Sequence, residues 1–344
     1  MKQYIKYITG IKRQLFFIIA IVVGSIAIMV VSSALYNQPE LDWSASIDHT
    51  LRPETARFLD GVSVRRDQAR LRPIAVMIEN HTDSRPVAGL EHARVIYEVI
   101  VEGDITRFLA FFDPTFSVKQ IGPVRSSRPF FIELAQEWDA LYFHAGGSDD
   151  ALVMLRAGAL DNVNEISGDG IYFFRDVKRN APHNLFTSSD QMLRAVTAKG
   201  YATTTDFMPW KFKHGEPVAD VATKRVATVE VTFSKNLEYA VEYQYNPVDN
   251  NYTRFQAGAP HRTASGIILK ADTIVKQFVE ADIIDDYGRL EIDVTSGGLA
   301  IVYRDGTAIE GTWRKEDGRT RFFDNQGQEI RLNQGVTWVE LLFN

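Results

Sequence analysis

The sequence predicts an α+β fold: an N-terminal transmembrane helix, then an α/β-type domain with a mixed sheet, then a mainly antiparallel β domain. Three observations carry this expectation. Leu15 to Leu35 is apolar or small throughout and carries no charge. From Arg72 to Gly200, strand-like apolar runs interleave with segments that carry helix-start residues, the pattern of a domain built from both elements. After that, strand-like runs recur at intervals of about ten residues between Gly-containing turns. The boundaries read as 1–14 for a cytoplasmic N-terminus, 15–35 for the anchor, 36–71 for a stalk, 72–205 for the first domain, 206–223 for a linker and 224–344 for the β-rich domain.

The uncharged run of 21 residues from Leu15 to Leu35 would span about 31 Å as a helix, the thickness of a bilayer core. Lys2, Lys6, Lys12 and Arg13 precede it, which orients the N-terminus to the cytoplasm and the bulk of the chain to the extracytoplasmic side of the cell membrane. The rival reading is a cleaved signal peptide ending at Ser32-Ser33-Ala34. The sequence has no cysteine, which excludes a disulfide framework and a lipid-modified cysteine. Four of the 38 basic residues precede the apolar run, while all 44 acidic residues follow it, so the remainder carries a net charge of −10. That balance argues against a nucleic-acid partner.

Within the first domain, Ile74 to Ile78, Val95 to Val101, Phe108 to Phe112 and Ala140 to His144 read as strands. Phe130 to Trp138, Asp149 to Arg156 and Ser189 to Lys199 read as helices, the last opened by Ser188 and Ser189. In the second, strands are expected at Val226 to Phe233, Tyr239 to Tyr245, Tyr252 to Phe255, Leu290 to Val294, Leu299 to Tyr303, Ile309 to Arg314, Thr320 to Phe323 and Val336 to Leu342. Asp305-Gly306, Asp317-Gly318 and Asn325-Gln326-Gly327 mark hairpins. Trp313 and Trp338 each fall on one of these strands, where a core role outweighs a sugar-stacking one.

Five polar signatures stand between the apolar runs of the first domain: Arg72 to Asn80, Glu102 to Phe108, Gly122 to Arg128, His144 to Ser148, and Arg175 to Phe186. Arginines beside Gly, Pro and Asn turns suit an anion held in fixed geometry, because guanidinium stays charged and donates in a planar fork. Arg107, Arg125, Arg128, Arg175 and Arg179, with Asn80 and Asn184, are the candidate ligand contacts. Arg125 and Arg128 also precede an expected helix N-terminus. A two-residue hairpin loop at Gly103-Asp104 would pair Glu102 with Ile105 and place Glu98, Glu102 and Arg107 on one sheet face.

Glu102, His144 and His183 are the candidate acid/base residues, and Glu79 with Glu102 is the one carboxylate pair to nominate for glycoside hydrolysis. Metal ligation by the two histidines with Asp149 and Asp150 lacks a supporting spacing such as H-E-x-x-H. No phosphate-cradling glycine loop is present. Neither a metal nor a cofactor is expected.

On these signatures, together with G-x-x-I-x-G-T-W-x-K from Gly306 to Lys315 and L-N-x-G-x-T-W from Leu332 to Trp338, the chain resembles the bacterial YerB-like lipoprotein family, a two-part family of unknown function. The resemblance covers roughly Leu59 to Leu342. It implies a fold and an extracytoplasmic address but no reaction. Family members typically use a lipidated cysteine, which this sequence lacks. The functional expectation is therefore binding of an anionic cell-envelope component, a peptidoglycan or wall-polymer fragment, through the arginines. An envelope hydrolase or transferase using Glu102 with His144 or His183, and a scaffold recruiting other proteins through the β domain, are the alternatives. Oligomeric state is left open.

Overall fold

The computed structural model describes residues 54–215 and 224–344. Eleven strands form one mixed sheet. Its spatial order is Lys224–Arg225, Thr307–Glu316, Gly298–Arg304, Thr273–Val279, Thr337–Phe343, Val95–Val101, Ile105–Phe112, Ile74–Glu79, Leu141–His144 and Asn162–Asn164, with Arg319–Asp324 paired to Thr307–Glu316. The C-terminal strand Thr337–Phe343 lies between Thr273–Val279 and Val95–Val101, parallel to both. The C-terminal strand thus pairs with a strand from the first half of the chain at the middle of one sheet.

Central strands covered on both faces need apolar residues at successive positions rather than at alternate ones. Val95, Tyr97, Val99 and Val101 accordingly enter one core and Ile96 the other. The first core is closed by helices Pro129–Gln136 and Asp149–Arg156 through Phe130, Phe131, Leu134 and Leu155, with Trp138 and Trp210. The second is closed by helix Ser189–Lys199 through Met192, Ala195 and Val196. A five-stranded sheet, Thr228–Val231, Val241–Asn246, Asn251–Gln256, Ala259–Pro260 and Lys270–Ala271, packs onto this same core through Val229, Val231, Tyr243 and Tyr252.

Local chemistry sets the helix ends. Ser148 accepts the Ala151 N–H, Asp149 and Asp150 lie in the first turn and Arg156 in the last, complementing the free amides and the helix dipole. Ser188 accepts the Gln191 N–H, and Gly200, at φ 65°, ends the helix that begins at Ser189. Both helices have the bounds expected from sequence.

Two expectations are corrected. The α+β reading with an α/β-type first domain gives way to a mostly β architecture. Among the described residues there are three α-helices, of 8, 8 and 11 residues, which serve as covers for the sheet. The transmembrane anchor, with the membrane contact and single-pass localisation built on it, is the second. No helix among the described residues is long and apolar enough to cross a membrane, and residues 15–35 lie outside the described residues.

Candidate functional site

The five signatures converge, and segment Gly122–Ser127 is the piece that joins them. It crosses the end of strand Ile74–Glu79, where the Glu79 N–H donates to the Pro123 carbonyl at 2.9 Å and the Arg125 N–H to that of Met77 at 3.0 Å. On its other side the Ala145 N–H donates to the Arg125 carbonyl at 3.0 Å, and the Val124 N–H to that of Leu185 at 2.7 Å. Backbone hydrogen bonding therefore fixes Arg125 against the ends of several strands, with Arg128 directly after the segment.

Side chains complete the cluster. Arg125 donates to Glu79, whose other oxygen lies 3.0 Å from His183 Nδ1. Arg125 Nη2 stands 3.3 Å from that same nitrogen. Arg128 Nε donates to Glu102 at 2.6 Å and its Nη1 to the Ser127 carbonyl at 2.7 Å. Arg107 Nη1 donates to the Ser126 carbonyl at 2.7 Å, and no carboxylate within the described residues forms an ion pair with it. Burial, reinforced by repulsion from Arg128 and Arg125, lowers the Arg107 pKa to about 10. At Glu102 burial pushes the carboxyl up, but the hydrogen bond and charge of Arg128 outweigh it and hold the group below its ordinary value. Three arginines thus face two glutamates, and the local excess is positive. A cleft of about 610 Å³ adjoins at Ser126, lined also by Gly146, Leu152, Leu155, Ile166 and Lys199.

The remaining candidates are held elsewhere. Arg179 donates to the carbonyls of Ser84 and Pro86, each at 2.7 Å, and lies over the Phe186 ring, so it clamps two loops together. Arg175 is tied to Asn184 at 3.0 Å and Glu165 at 3.2 Å; the Asn184 amide donates to the Arg179 carbonyl at 3.3 Å. His144 is fully buried and stacks on Tyr142, with Nδ1–H donating to the Gly146 carbonyl at 2.7 Å. Burial lowers its pKa, which leaves it neutral and enclosed. Asp149 and Asp150 serve the helix start described above.

The expected face-sharing of Glu98 with Arg107 is corrected by one residue of register. The turn is Glu102–Asp104, with Gly103 at φ 74° and Asp104 at φ 56°, so Val101 pairs with Ile105 and Val99 with Arg107. A one-residue slip sends alternate side chains to opposite faces. Glu98 and Asn80 therefore lie on the other side of the sheet, where Asn80 Nδ2 donates to Thr106 at 2.7 Å and to Glu98 at 3.2 Å.

There the small sheet contributes a group that no local pattern announced. Arg254, fully buried, donates to Glu98 and His261 and, at 3.2 Å, to the Tyr243 hydroxyl, and it stacks 4.4 Å from the Trp338 ring centroid. Tyr243 in turn donates to Glu340, the neighbour of Glu98 across the parallel strand pair. Burial and the adjacent Glu98 push the Glu340 carboxyl up to about 8. Burial and Arg254 together drive His261 well below its ordinary value. This network joins the two halves of the chain.

Residues 59–202 match a family described as the N-terminal domain of a protein of unknown function (DUF3048), and residues 229–339 match its C-terminal domain. The chain belongs to the DUF3048 family. One relative is YerB of Bacillus subtilis (strain 168), provisionally named a lipoprotein, which is 32% identical over 298 residues, covering 84% of this chain and 88% of the relative. The crystal structure of Bacillus subtilis YerB superposes with a TM-score of 0.75 at 31% identity, over 85% of this chain and 96% of that one. The relative's name is that of a lipoprotein, a protein held to its membrane by lipid, and so gives no support to the single-pass helical anchor expected from sequence. The family assignment brings no reaction with it.

Proposed function

We propose that the Arg107, Arg125 and Arg128 cluster binds an anionic group, a phosphate or carboxylate borne by a cell-envelope component. The observation that carries this is Arg107. Its partly buried guanidinium has a carbonyl for a partner, and two further arginines lie close enough to depress its pKa. Glu102 and Glu79 offset this only in part, since each is ion-paired to another arginine. A buried positive charge with no carboxylate ion pair of its own costs stability, and perturbed groups of this kind concentrate at functional sites. The adjoining cleft is large enough for the body of a small ligand. The envelope address is taken from the lipoprotein name of the relative.

The test is Arg107→Gln against solubilised cell-wall fragments, with retained and released material measured by mass spectrometry. Loss of retention by at least about tenfold, as for removal of a charge-assisted contact, supports the proposal. Unchanged retention in a folded variant refutes it. For the hydrolase alternative, expected on Glu102 with His144 or His183, the geometry favours His183 with Glu79 in place of Glu102. Glu79 accepts from His183 Nδ1 at 3.0 Å, the arrangement of an oriented general base. New, smaller fragments that disappear with His183→Ala would favour that reading. For the scaffold alternative no specific observation speaks.

A further inference from the structure

We propose that His81, Asp83 and His183 form a binding site for a divalent transition-metal ion of the zinc class. The three residues come from two distant stretches of sequence. His81 and Asp83 follow strand Ile74–Glu79, and His183 lies in the loop before Leu185–Phe186. One ligating atom from each lies within 4.8 Å of the others. The two imidazoles stack with centroids 4.8 Å apart at 20°, and His81 Nδ1 is 3.7 Å from Asp83 Oδ2. Zinc bonds of about 2.0–2.2 Å in tetrahedral geometry require ligand atoms roughly 3.4 Å apart. Rotation of the more exposed His81 and Asp83 side chains would close the remaining distance.

A second observation comes from outside the triad. Glu79, buried and held by Arg125, accepts from His183 Nδ1 at 3.0 Å. That bond fixes the ring and leaves the Nε2 lone pair free, which is how histidine ligands are oriented by a carboxylate behind them. The His81 side chain is 30% exposed and that of Asp83 72%, so an ion can enter from solvent. Occupation through His81 Nδ1 displaces one contact, the 3.1 Å bond from the Asp83 N–H, whose donor is then free to take water. Two imidazoles with one carboxylate suit zinc and its neighbours over magnesium or calcium, which demand oxygen ligands. The fourth position is left to water or an anion.

This site is distinct from the arginine proposal in its ligands, since none of the three arginines coordinates the ion, although Arg125 touches both Glu79 and His183. The test is calorimetric titration of the full, tag-free, chelator-stripped chain with Zn2+, followed by Co2+ absorption spectroscopy. One ion per chain with micromolar affinity is expected, together with the visible bands of a low-symmetry Co2+ centre. His81→Ala and His183→Ala should each weaken binding at least tenfold, and Glu79→Gln, through loss of orientation, by about tenfold. His214→Ala, at an exposed histidine elsewhere, should change nothing. Circular dichroism melts confirm folding; the partly exposed His81 keeps the test decisive should His183→Ala fail to fold. No stoichiometric Zn2+ uptake by the unaltered chain, or affinity retained within threefold in folded His81→Ala, overturns the proposal.

Discussion

Replacing Glu340 with Gln should stabilise the protein, and by a growing margin as pH rises. In the folded chain this carboxyl is enclosed between Tyr243 and Glu98, and its pKa is raised from 4.5 to about 8. An acid whose folded pKa is raised keeps its proton while the unfolded chain has already released one. Its penalty is absent below pH 4.5, grows as pH rises from there, and levels off above about pH 8. The slope between those limits is about 1.4 kcal/mol per pH unit, giving a cost on the order of 3 kcal/mol at pH 7. Gln still accepts from Tyr243 but cannot ionise, so the cost vanishes. Urea unfolding of both chains at pH 5, 7 and 8.5 measures the difference directly, and most other titrating groups cancel between them. A gap that stays constant over this range, or favours Glu at pH 8.5, would refute the reasoning.

Arg254→Met strips the counter-charge from buried Glu98 and should cost about 3–5 kcal/mol in denaturant melts, with Glu98→Gln in the same chain recovering much of it. Gly311→Ala would drive a Cβ to 1.9 Å from the Phe323 carbonyl oxygen across the strand pair, so a loss of at least about 2 kcal/mol or a failure to fold is expected. His144→Ala removes a stacked, hydrogen-bonded ring; it should lower stability by about 2–4 kcal/mol while leaving Zn2+ affinity within threefold, as calorimetry would show. Arg107→Gln should weaken fragment retention yet leave stability equal or higher, because it removes a charge that lacks a carboxylate partner.

Helix ends and tight turns were legible because their causes are local. Ser148 and Ser188 cap the helices they precede, and Asp305-Gly306 and Asp317-Gly318 supply the positive φ angles that two hairpins need. Strand Thr273–Val279 escaped notice although it lies beside the C-terminal strand in the sheet. Lys276 and Gln277 interrupt its apolar run, and Gln277 is fully buried nonetheless. The register of the hairpin at Gly103 was equally out of reach, since one residue more or less in a turn reverses both faces and leaves the apolar count unchanged.

By itself, the sequence determined the polar signatures, most central strands, the hairpin turns at Asp305-Gly306 and Asp317-Gly318 and the family resemblance, all of which depend on residue type and short spacing. Only the tertiary structure decided which polar groups meet. The C-terminal strand paired with Val95–Val101, setting Glu340 beside Glu98, and the small sheet delivered Arg254 to both halves' interface. His81 came against His183 by loop packing. Such encounters follow from strand order and face, which are set by the summed burial of two cores, and no local pattern records that sum.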